Sequence, residues 1–249
     1  MTKTSAMIAF LLTIAGAAAN PAKFSSGIAQ VAVIELYSSE GCSSCPPAEK
    51  WLGELRDKPG LWKDFVPMEF HVTFWNGLGW NDRLSKPEFT EREYAYASTW
   101  GTKRVYTPCF VRNGDEWRPK DASADARSGM AGELTVSIGD DRVCGIRFIP
   151  GKDLEGAPAM YVAHLALLGG GIASKVTGGE NNGATLKHEF AVLWLKEETF
   201  LPENQGPTLF ASIPMPKPEG EGAARFAMAA WVTRYGELEP IQATGGWLH

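Results

Sequence analysis

The sequence predicts an α/β domain over residues 29–128 and an all-β domain with antiparallel, sandwich-like strands over residues 131–249. In the first part, apolar strand-like runs alternate with amphipathic helical patterns, which is typical of α/β folds. In the second part, short alternating runs are separated by turns rich in glycine, asparagine and proline, which is typical of antiparallel sheets.

Composition supports a folded protein and limits its partners. The chain has 249 residues, 44% of them hydrophobic, which is enough to bury a sizeable core. Its formal net charge is −5, and it contains no block of lysine and arginine. We therefore expect neither nucleic acid nor an anionic membrane surface to be a partner.

The N-terminal stretch predicts a signal peptide over residues 1–19. Lys3 precedes an apolar run from Met7 to Ala19 that ends in small residues and is too short to span a bilayer. We expect a periplasmic or secreted protein, with no membrane insertion after cleavage. An uncleaved anchor is the alternative. Export also permits disulfides among the four cysteines that follow.

A cysteine pair lies where the first predicted strand meets the first predicted helix. The apolar run Val31–Tyr37 is followed by a turn, then by Cys42-Ser43-Ser44-Cys45, and then by two prolines that suit a helix start. A C-x-x-C motif in this setting is typical of a thioredoxin-like redox site. A helix N-terminus favours thiolate, so Cys42 is the predicted exposed nucleophile and Cys45 the resolving thiol.

Two other interpretations of the pair stay open. It could be an inert structural disulfide, or part of a metal site that includes His71, with copper or zinc as the ion. No second Cys/His pair with zinc-site spacing follows in the sequence. The sequence therefore predicts no cofactor and assigns no metal ligand.

The elements after the cysteines follow a β-α-β order. The pattern predicts a helix from Ala48, a strand over residues 66–75, a glycine-bearing loop over 76–82, a helix from Ser85 to about Gly101, a strand over 109–112 and a hairpin turn at Asn113-Gly114.

Thr107-Pro108 opens the strand after the second predicted helix. A cis proline that faces the reactive cysteines is a feature of thioredoxin-like folds, and the residue before it binds an extended peptide through its backbone. We therefore predict a cis bond here, and substrate binding by Thr107 and Pro108. An ordinary trans proline at a strand start is the alternative.

Glu35 interrupts the apolar residues of the first predicted strand. Burial disfavours a charged carboxylate, so we expect a raised pKa and a role as proton acceptor for Cys45. A solvated glutamate at a sheet edge is the alternative.

Four segments together resemble a family of exported bacterial proteins of unknown function, with a thioredoxin-like domain followed by a β-rich domain. They are VIELYSSEGCSSCPPAEKWLGEL, HVTFWNGLGWNDRLSKPEFTEREYAYA, RVYTPCFVRNG and GGENNGATLKHEFAV. The resemblance implies that Cys42 and Cys45 match the family's cysteine pair, and that Thr107-Pro108 matches its Thr-Pro. It implies no particular reaction.

Cys109 departs from that family, which usually has glutamine at this position. The residue follows the predicted cis proline, so we expect it near the cysteine pair. It is interpreted as a third redox thiol, a partner for Cys144, or a buried apolar side chain.

The leading functional prediction is an exported thiol–disulfide oxidoreductase that acts on envelope proteins or on small-molecule thiols and disulfides. The alternative is a binding or scaffold module without catalysis, in which the pair is a structural disulfide or a metal site. The sequence leaves open whether the protein is an enzyme.

Overall fold

The structure is a computed structural model that describes residues 22–119, 129–154, 160–203 and 206–248. The predicted signal peptide, residues 1–19, lies outside these ranges. Within the described residues, neither α-helix combines the length and the apolar character needed to cross a bilayer.

The first part of the chain contains both α-helices of the described residues. Its elements are β1 (Ala22–Ser25), β2 (Ala32–Ser38), α1 (Pro46–Glu54), β3 (Phe65–His71), α2 (Pro87–Thr99), β4 (Cys109–Arg112) and β5 (Asp115–Trp117). Each helix begins with proline in its first turn, where a missing N–H leaves no helical hydrogen bond unmade. Every residue of β2 and β3 is buried, as expected for strands covered on both faces.

The rest of the chain is built from strands. They are β6 (Gly132–Ile138), β7 (Val143–Pro150), β8 (Tyr161–Gly170), β9 (Ile172–Lys175), β10 (Thr185–His188), β11 (Ala191–Thr199), β12 (Leu201–Pro202), β13 (Leu209–Pro214), β14 (Arg225–Arg234) and β15 (Gln242–Leu248). Buried and less buried residues alternate along β6 and β7, which matches strands with one face on a core.

The predicted hairpin turn between β4 and β5 is confirmed. Asn113 and Gly114 have φ values of 49° and 90°, the backbone conformation that a tight two-residue hairpin requires. The Asn113 side chain also accepts a hydrogen bond of 2.8 Å from the Val33 backbone N–H, so the turn is attached to β2.

The predicted fold class, a thioredoxin-like α/β domain plus a separate all-β domain, is wrong. Most of the structure is β, and one eight-stranded sheet runs through both parts of the chain in the order β15-β14-β8-β11-β3-β2-β4-β5. The two parts meet where β11 pairs in parallel with β3 at Ala191 and Glu69. The Glu69 N–H donates to the Phe190 carbonyl at 2.9 Å, so the sheet is continuous across the predicted boundary.

The cores also cross that boundary. The larger one joins side chains of β2 and β3, such as Ile34 and Phe70, to side chains of β8 and β14, such as Leu168 and Trp231. A second core lies between the other face of β8, β14 and β15 and a five-stranded sheet in the order β1-β6-β7-β13-β12. The two sheets around this second core are packed as in a sandwich, but the eight-stranded sheet also contains β2 to β5 from the first part of the chain.

The two helices cover opposite faces of the large sheet around β2 and β3. Ser38 points to the side of α1, where its hydroxyl donates to Glu49 at 2.6 Å. Glu35 points to the side of α2, where it pairs with Arg92. Neighbouring residues of a strand face opposite ways, so these contacts define an α1 face and an α2 face.

Candidate functional site

The N-terminus of α1 holds the two cysteines together. Cys45 is the residue immediately before the helix, and a disulfide joins it to Cys42. The turn before the helix is closed by the Cys42 N–H, which donates to the Ser39 carbonyl at 3.0 Å, and by the Cys45 N–H, which donates to the Cys42 carbonyl at 3.2 Å. The structure therefore has an oxidised C-x-x-C pair at a helix start.

Both cysteines are buried, with 0% of each residue exposed, whereas Ser43 and Ser44 between them are exposed. The predicted exposure of Cys42 is wrong. The connection between β9 and β10, residues 176–184, lies against this turn, and we call it the capping loop. The Asn181 side chain donates to the carbonyls of Glu40 at 2.9 Å and Cys42 at 3.0 Å.

A second residue of the capping loop contacts the turn from its outer side. The Glu180 carboxylate accepts hydrogen bonds from the Ser43 N–H at 3.1 Å and the Ser43 hydroxyl at 2.6 Å. These bonds lower the Glu180 pKa, which keeps a negative charge beside the disulfide. The amide of Ser43, which would otherwise be available to a Cys42 thiolate, is therefore occupied.

Trp75 connects the cysteine turn to Thr107. Its indole N–H donates to the Thr107 hydroxyl at 2.8 Å, and its Cβ lies so close to Gly41 that a side chain there would be crowded. The Thr107-Pro108 peptide bond is cis, as expected. Both residues are partly exposed.

Glu35 does not lie on the side of the cysteines. Its carboxylate is on the α2 face, where it accepts from Arg92 through two hydrogen bonds of 2.9 Å and from the hydroxyls of Tyr37 and Tyr96 at 2.7 Å each. Burial raises its pKa, but the Arg92 charge and these donors outweigh burial and lower the pKa overall. The predicted rise in the Glu35 pKa is therefore wrong.

Cys109 and Cys144 are free, buried thiols. Cys109 pairs with Tyr37 across the sheet, which places both side chains on the α2 face, away from the disulfide. Burial and the neighbouring Glu93 raise the Cys109 pKa to about 12. Cys144 belongs to the second core, so the possible Cys109–Cys144 disulfide does not form.

A buried group of ionisable side chains lies on the α1 face behind the cysteine turn. We call it the polar cluster; its members are Glu40, Glu49, Glu69, His71, Asp82 and His188. It is organised around two imidazoles whose ring centroids are 4.8 Å apart. His71 Nδ1 lies 2.6 Å from Asp82 Oδ2, and His188 Nε2 lies 3.3 Å from Glu40 Oε1.

Glu69 lies between the two imidazoles. Its Oε1 is 3.3 Å from His71 Nε2 and 3.5 Å from His188 Nδ1, and neither Glu69 oxygen has a hydrogen-bond partner. His188 Nδ1 also lies 3.8 Å from Glu49 Oε2. Three of the four imidazole nitrogens have no hydrogen-bond partner, although all are buried.

The charged groups of the polar cluster shift the pKa values of their neighbours. Burial raises the pKa of Glu69, but the two imidazoles outweigh burial and hold the value at about 2. Burial together with the Glu69 charge raises the pKa of Glu49 to about 7. Burial opposes protonation of His188, but Glu69 and Glu40 raise its pKa to about 9.

Sequence reasoning missed most of the polar cluster. It interpreted His71 as a core residue or as a metal ligand together with the cysteines, and it assigned no site role to Glu49, Glu69, Asp82 or His188. One signal was present, because Glu69 and His71 are alternate residues of a strand and must share a face. The approach of His188 could not be seen, because 117 positions separate it from His71.

Comparisons with known proteins support the fold and give no activity. The chain is similar to a protein from Agrobacterium tumefaciens solved by X-ray crystallography, with 21% identity, a TM-score of 0.57, and coverage of 88% of this chain and 94% of that one. It is also similar to HBP35 of Porphyromonas gingivalis, with 18% identity, a TM-score of 0.58, and coverage of 90% and 76%. Comparison with curated proteins gives no match.

At these identities the two solved structures indicate a shared fold only. The sequence resemblance to a family of unknown function is confirmed at that level by a family model. Because this model matches residues 33–233, the chain belongs to the family described as protein of unknown function DUF1223.

Proposed function

We propose that this protein is a thiol–disulfide oxidoreductase whose redox pair is Cys42 and Cys45. One observation carries the proposal: the two cysteines form a disulfide at the start of α1, in a turn whose exposed serines lie at the protein surface. A helix N-terminus stabilises a thiolate, which is the reactive form of cysteine in thiol–disulfide exchange.

The exchange starts from the oxidised pair. A substrate thiolate attacks Cys42 Sγ, a substrate–Cys42 disulfide forms, and the bond to Cys45 breaks, with its electron pair leaving on Cys45 Sγ, which takes up a proton. A second substrate thiolate then attacks the substrate sulfur of that mixed disulfide and releases Cys42 as a thiolate. The substrate dithiol is oxidised by two electrons and the pair is reduced; the reverse sequence reduces a substrate disulfide.

Thr107 and Pro108 are proposed to bind the substrate beside this pair. The support is Trp75, which is hydrogen-bonded to Thr107 and packed against Gly41 of the cysteine turn. Substrates of this class are envelope proteins or small-molecule thiols and disulfides, and the exported location stays a prediction from the sequence. Glu35 has no part in the proposal, because it lies in an ion pair on the opposite face.

Because both cysteines are buried, the proposal includes a movement of the capping loop away from the turn before a substrate reaches Cys42. Asn181 and Glu180 hold this loop to the turn through four hydrogen bonds. The closed arrangement in the structure is therefore interpreted as a protected state of the disulfide.

Single-cysteine variants test the proposal. In a background that carries Cys109→Ala and Cys144→Ala, the Cys45→Ser variant leaves Cys42 free, and the Cys42→Ser variant leaves Cys45 free. Each is incubated with glutathione disulfide, and the mixed disulfide is followed by mass spectrometry. We expect the Cys45→Ser variant to react at least about tenfold faster, because Cys42 carries the thiolate that the helix start stabilises. Equal, slow reaction of both variants would refute the redox role.

A second candidate is a binding module in which the same bond is a structural disulfide, and complete burial of both cysteines favours it. The reduction potential separates the two functions, since structural disulfides typically lie below about −300 mV. Titration of the wild-type chain against dithiothreitol mixtures should give a higher potential if the pair is a redox site. A value below that limit would instead assign a structural role.

A further inference from the structure

The polar cluster contains more buried acids than its surroundings neutralise. Four carboxylates and two imidazoles share the α1 face, and among the described residues no ion pair joins any of these carboxylates to lysine or arginine. Buried charge of one sign is costly unless a counter-charge accompanies it. The cluster therefore has the charge of a site that accepts a cation.

Several buried polar atoms of the cluster also have no hydrogen-bond partner. Both oxygens of Glu69, His71 Nε2, and both nitrogens of His188 are buried and have no hydrogen-bond partner. Buried polar atoms of native proteins are nearly always satisfied, so these converging atoms point to a missing partner. One ligand atom from each of the three residues lies within 4.8 Å of the other two.

We propose that Glu69, His71 and His188 bind one divalent transition-metal ion of the zinc class, with Glu49 as a fourth ligand. Zinc–ligand bonds of about 2.0–2.1 Å place neighbouring ligand atoms of a tetrahedron about 3.3–3.4 Å apart. Glu69 Oε1 lies 3.3 Å from His71 Nε2 and 3.5 Å from His188 Nδ1, which matches two edges of such a tetrahedron.

Glu49 is the proposed fourth ligand, although it lies outside the set of three residues whose ligand atoms are all within 4.8 Å of one another. Glu49 Oε2 lies 3.8 Å from His188 Nδ1, while its other oxygen is held by the Ser38 hydroxyl. With Glu49 bound, four protein ligands would leave no open position, as in closed structural zinc sites, with carboxylates in place of the cysteines that most such sites use. The ion would join α1, β3 and β10 behind the cysteine turn.

The surroundings of the imidazoles support this ligand set. Asp82 Oδ2 lies 2.6 Å from His71 Nδ1 and also accepts from the Glu40 N–H, while Asp82 Oδ1 accepts from the Leu84 N–H. A carboxylate fixed in this way holds the proton on Nδ1 and leaves Nε2 to bind a metal, as in carboxylate–histidine–zinc triads. Glu40, itself bound by the indole of Trp80, faces the distal nitrogen of His188 in the same manner.

The test uses the full chain with its disulfide oxidised, unfolded and refolded with one equivalent of Zn²⁺ so that loading needs no entry path. After dialysis we expect one zinc per chain by elemental analysis. The Glu69→Gln and His71→Gln variants should lose affinity at least about a hundredfold, and Asp82→Asn about 10–100-fold, as for other groups that hold a metal ligand.

Two controls separate this site from others. His164→Gln removes a buried histidine that stacks on Trp231 outside the cluster, and it should keep the zinc. The Cys42→Ser/Cys45→Ser variant should also keep it, which separates this site from a thiolate site and keeps its outcome independent of the redox proposal. Circular dichroism reports whether each variant is folded.

The site can also be tested in the wild-type chain by the visible absorption spectrum of a bound metal ion. Co²⁺ in place of zinc should give the intense visible bands of a four-coordinate site, without a thiolate-to-metal charge-transfer band. No retained metal in the refolded wild-type chain, a thiolate band, or unchanged affinity in Glu69→Gln and His71→Gln would each overturn the proposal.

Discussion

At the scale of single residues, two buried glutamates near α2 have pKa values shifted in opposite directions, because different groups surround them. Glu35 has Arg92 and two tyrosine hydroxyls, which lower its pKa despite complete burial. Glu93 has one backbone donor, the Tyr106 N–H at 3.1 Å, and burial raises its pKa to about 7. Whether a buried carboxyl is ionised or protonated therefore depends on whether the tertiary structure places a cation beside it.

Glu93 gives a pH-dependent prediction. Its folded pKa of about 7 lies above the ordinary value of 4.5, so the folded state binds this proton more tightly than the unfolded state. Stability must therefore fall as pH rises from about 4.5 through about 7, by an amount on the order of 3 kcal/mol for this group. We expect Glu93→Gln, which keeps an acceptor for Tyr106, to remove this loss.

Urea unfolding of Glu93→Gln and wild type at pH 5 and pH 8 measures the effect. The variant should be the more stable protein at pH 8 and should differ little at pH 5. Glu91→Gln, on the exposed side of the same helix, is the matched control and should change neither value. A Glu93→Gln variant that is less stable than wild type at pH 8 would contradict the assignment.

At the scale of elements, the capping loop and the start of α1 form one unit. The strand, the turn and the proline-led helix could be predicted from periodicity and composition, because these are local properties of the chain. The contact between the capping loop and the cysteine turn could not be predicted in this way, because Asn181 lies 139 positions from Cys42. The loop's segment GGENNG resembles the known family, but nothing in its composition tells which surface it covers.

Removing the Asn181 contacts should expose the disulfide. Asn181→Ala deletes two hydrogen bonds to the cysteine turn, each worth about 1 kcal/mol net, so we expect reduction by dithiothreitol about tenfold faster or more. Alkylation and mass spectrometry measure the rate. Asn182→Ala, an exposed neighbour in the same loop, should reduce at the wild-type rate.

Asn181→Ala also loses about 2 kcal/mol of global stability with its two hydrogen bonds, so the global unfolding rate of each variant is measured as well. Reduction that is faster than global unfolding shows that the effect comes from local opening of the loop. Equal reduction rates for Asn181→Ala and wild type would show that the capping loop does not control access.

At the scale of the whole molecule, the continuous sheet makes the two parts of the chain depend on each other. β3 pairs with β11, and the larger core contains side chains from both parts. A fragment that ended after β5 would leave an edge of β3 unpaired and one side of this core exposed to water. We therefore expect the two parts to unfold together as one cooperative unit, and not as two independent domains.

A core variant in the second part tests this unit. Leu134→Ala removes a buried side chain from the second core, which should cost about 2–5 kcal/mol. If folding is cooperative, hydrogen exchange of the β2 and β3 amides should speed up along with that of β6 and β7. Protection of β2 and β3 that stays at the wild-type level would show that the parts unfold separately.

The sequence by itself determined the local features: the strand–turn–helix around Cys42 and Cys45, the two proline-led helices and the Asn113-Gly114 turn. These depend on neighbouring residues and on backbone geometry, so a pattern of a few positions contains them. Only the tertiary structure decided that β11 adds to β3, that the capping loop contacts the cysteine turn, and that His188 meets Glu69 and His71. Such contacts join positions far apart in the chain. They depend on how distant segments pack into the shared core, which the local sequence pattern does not determine.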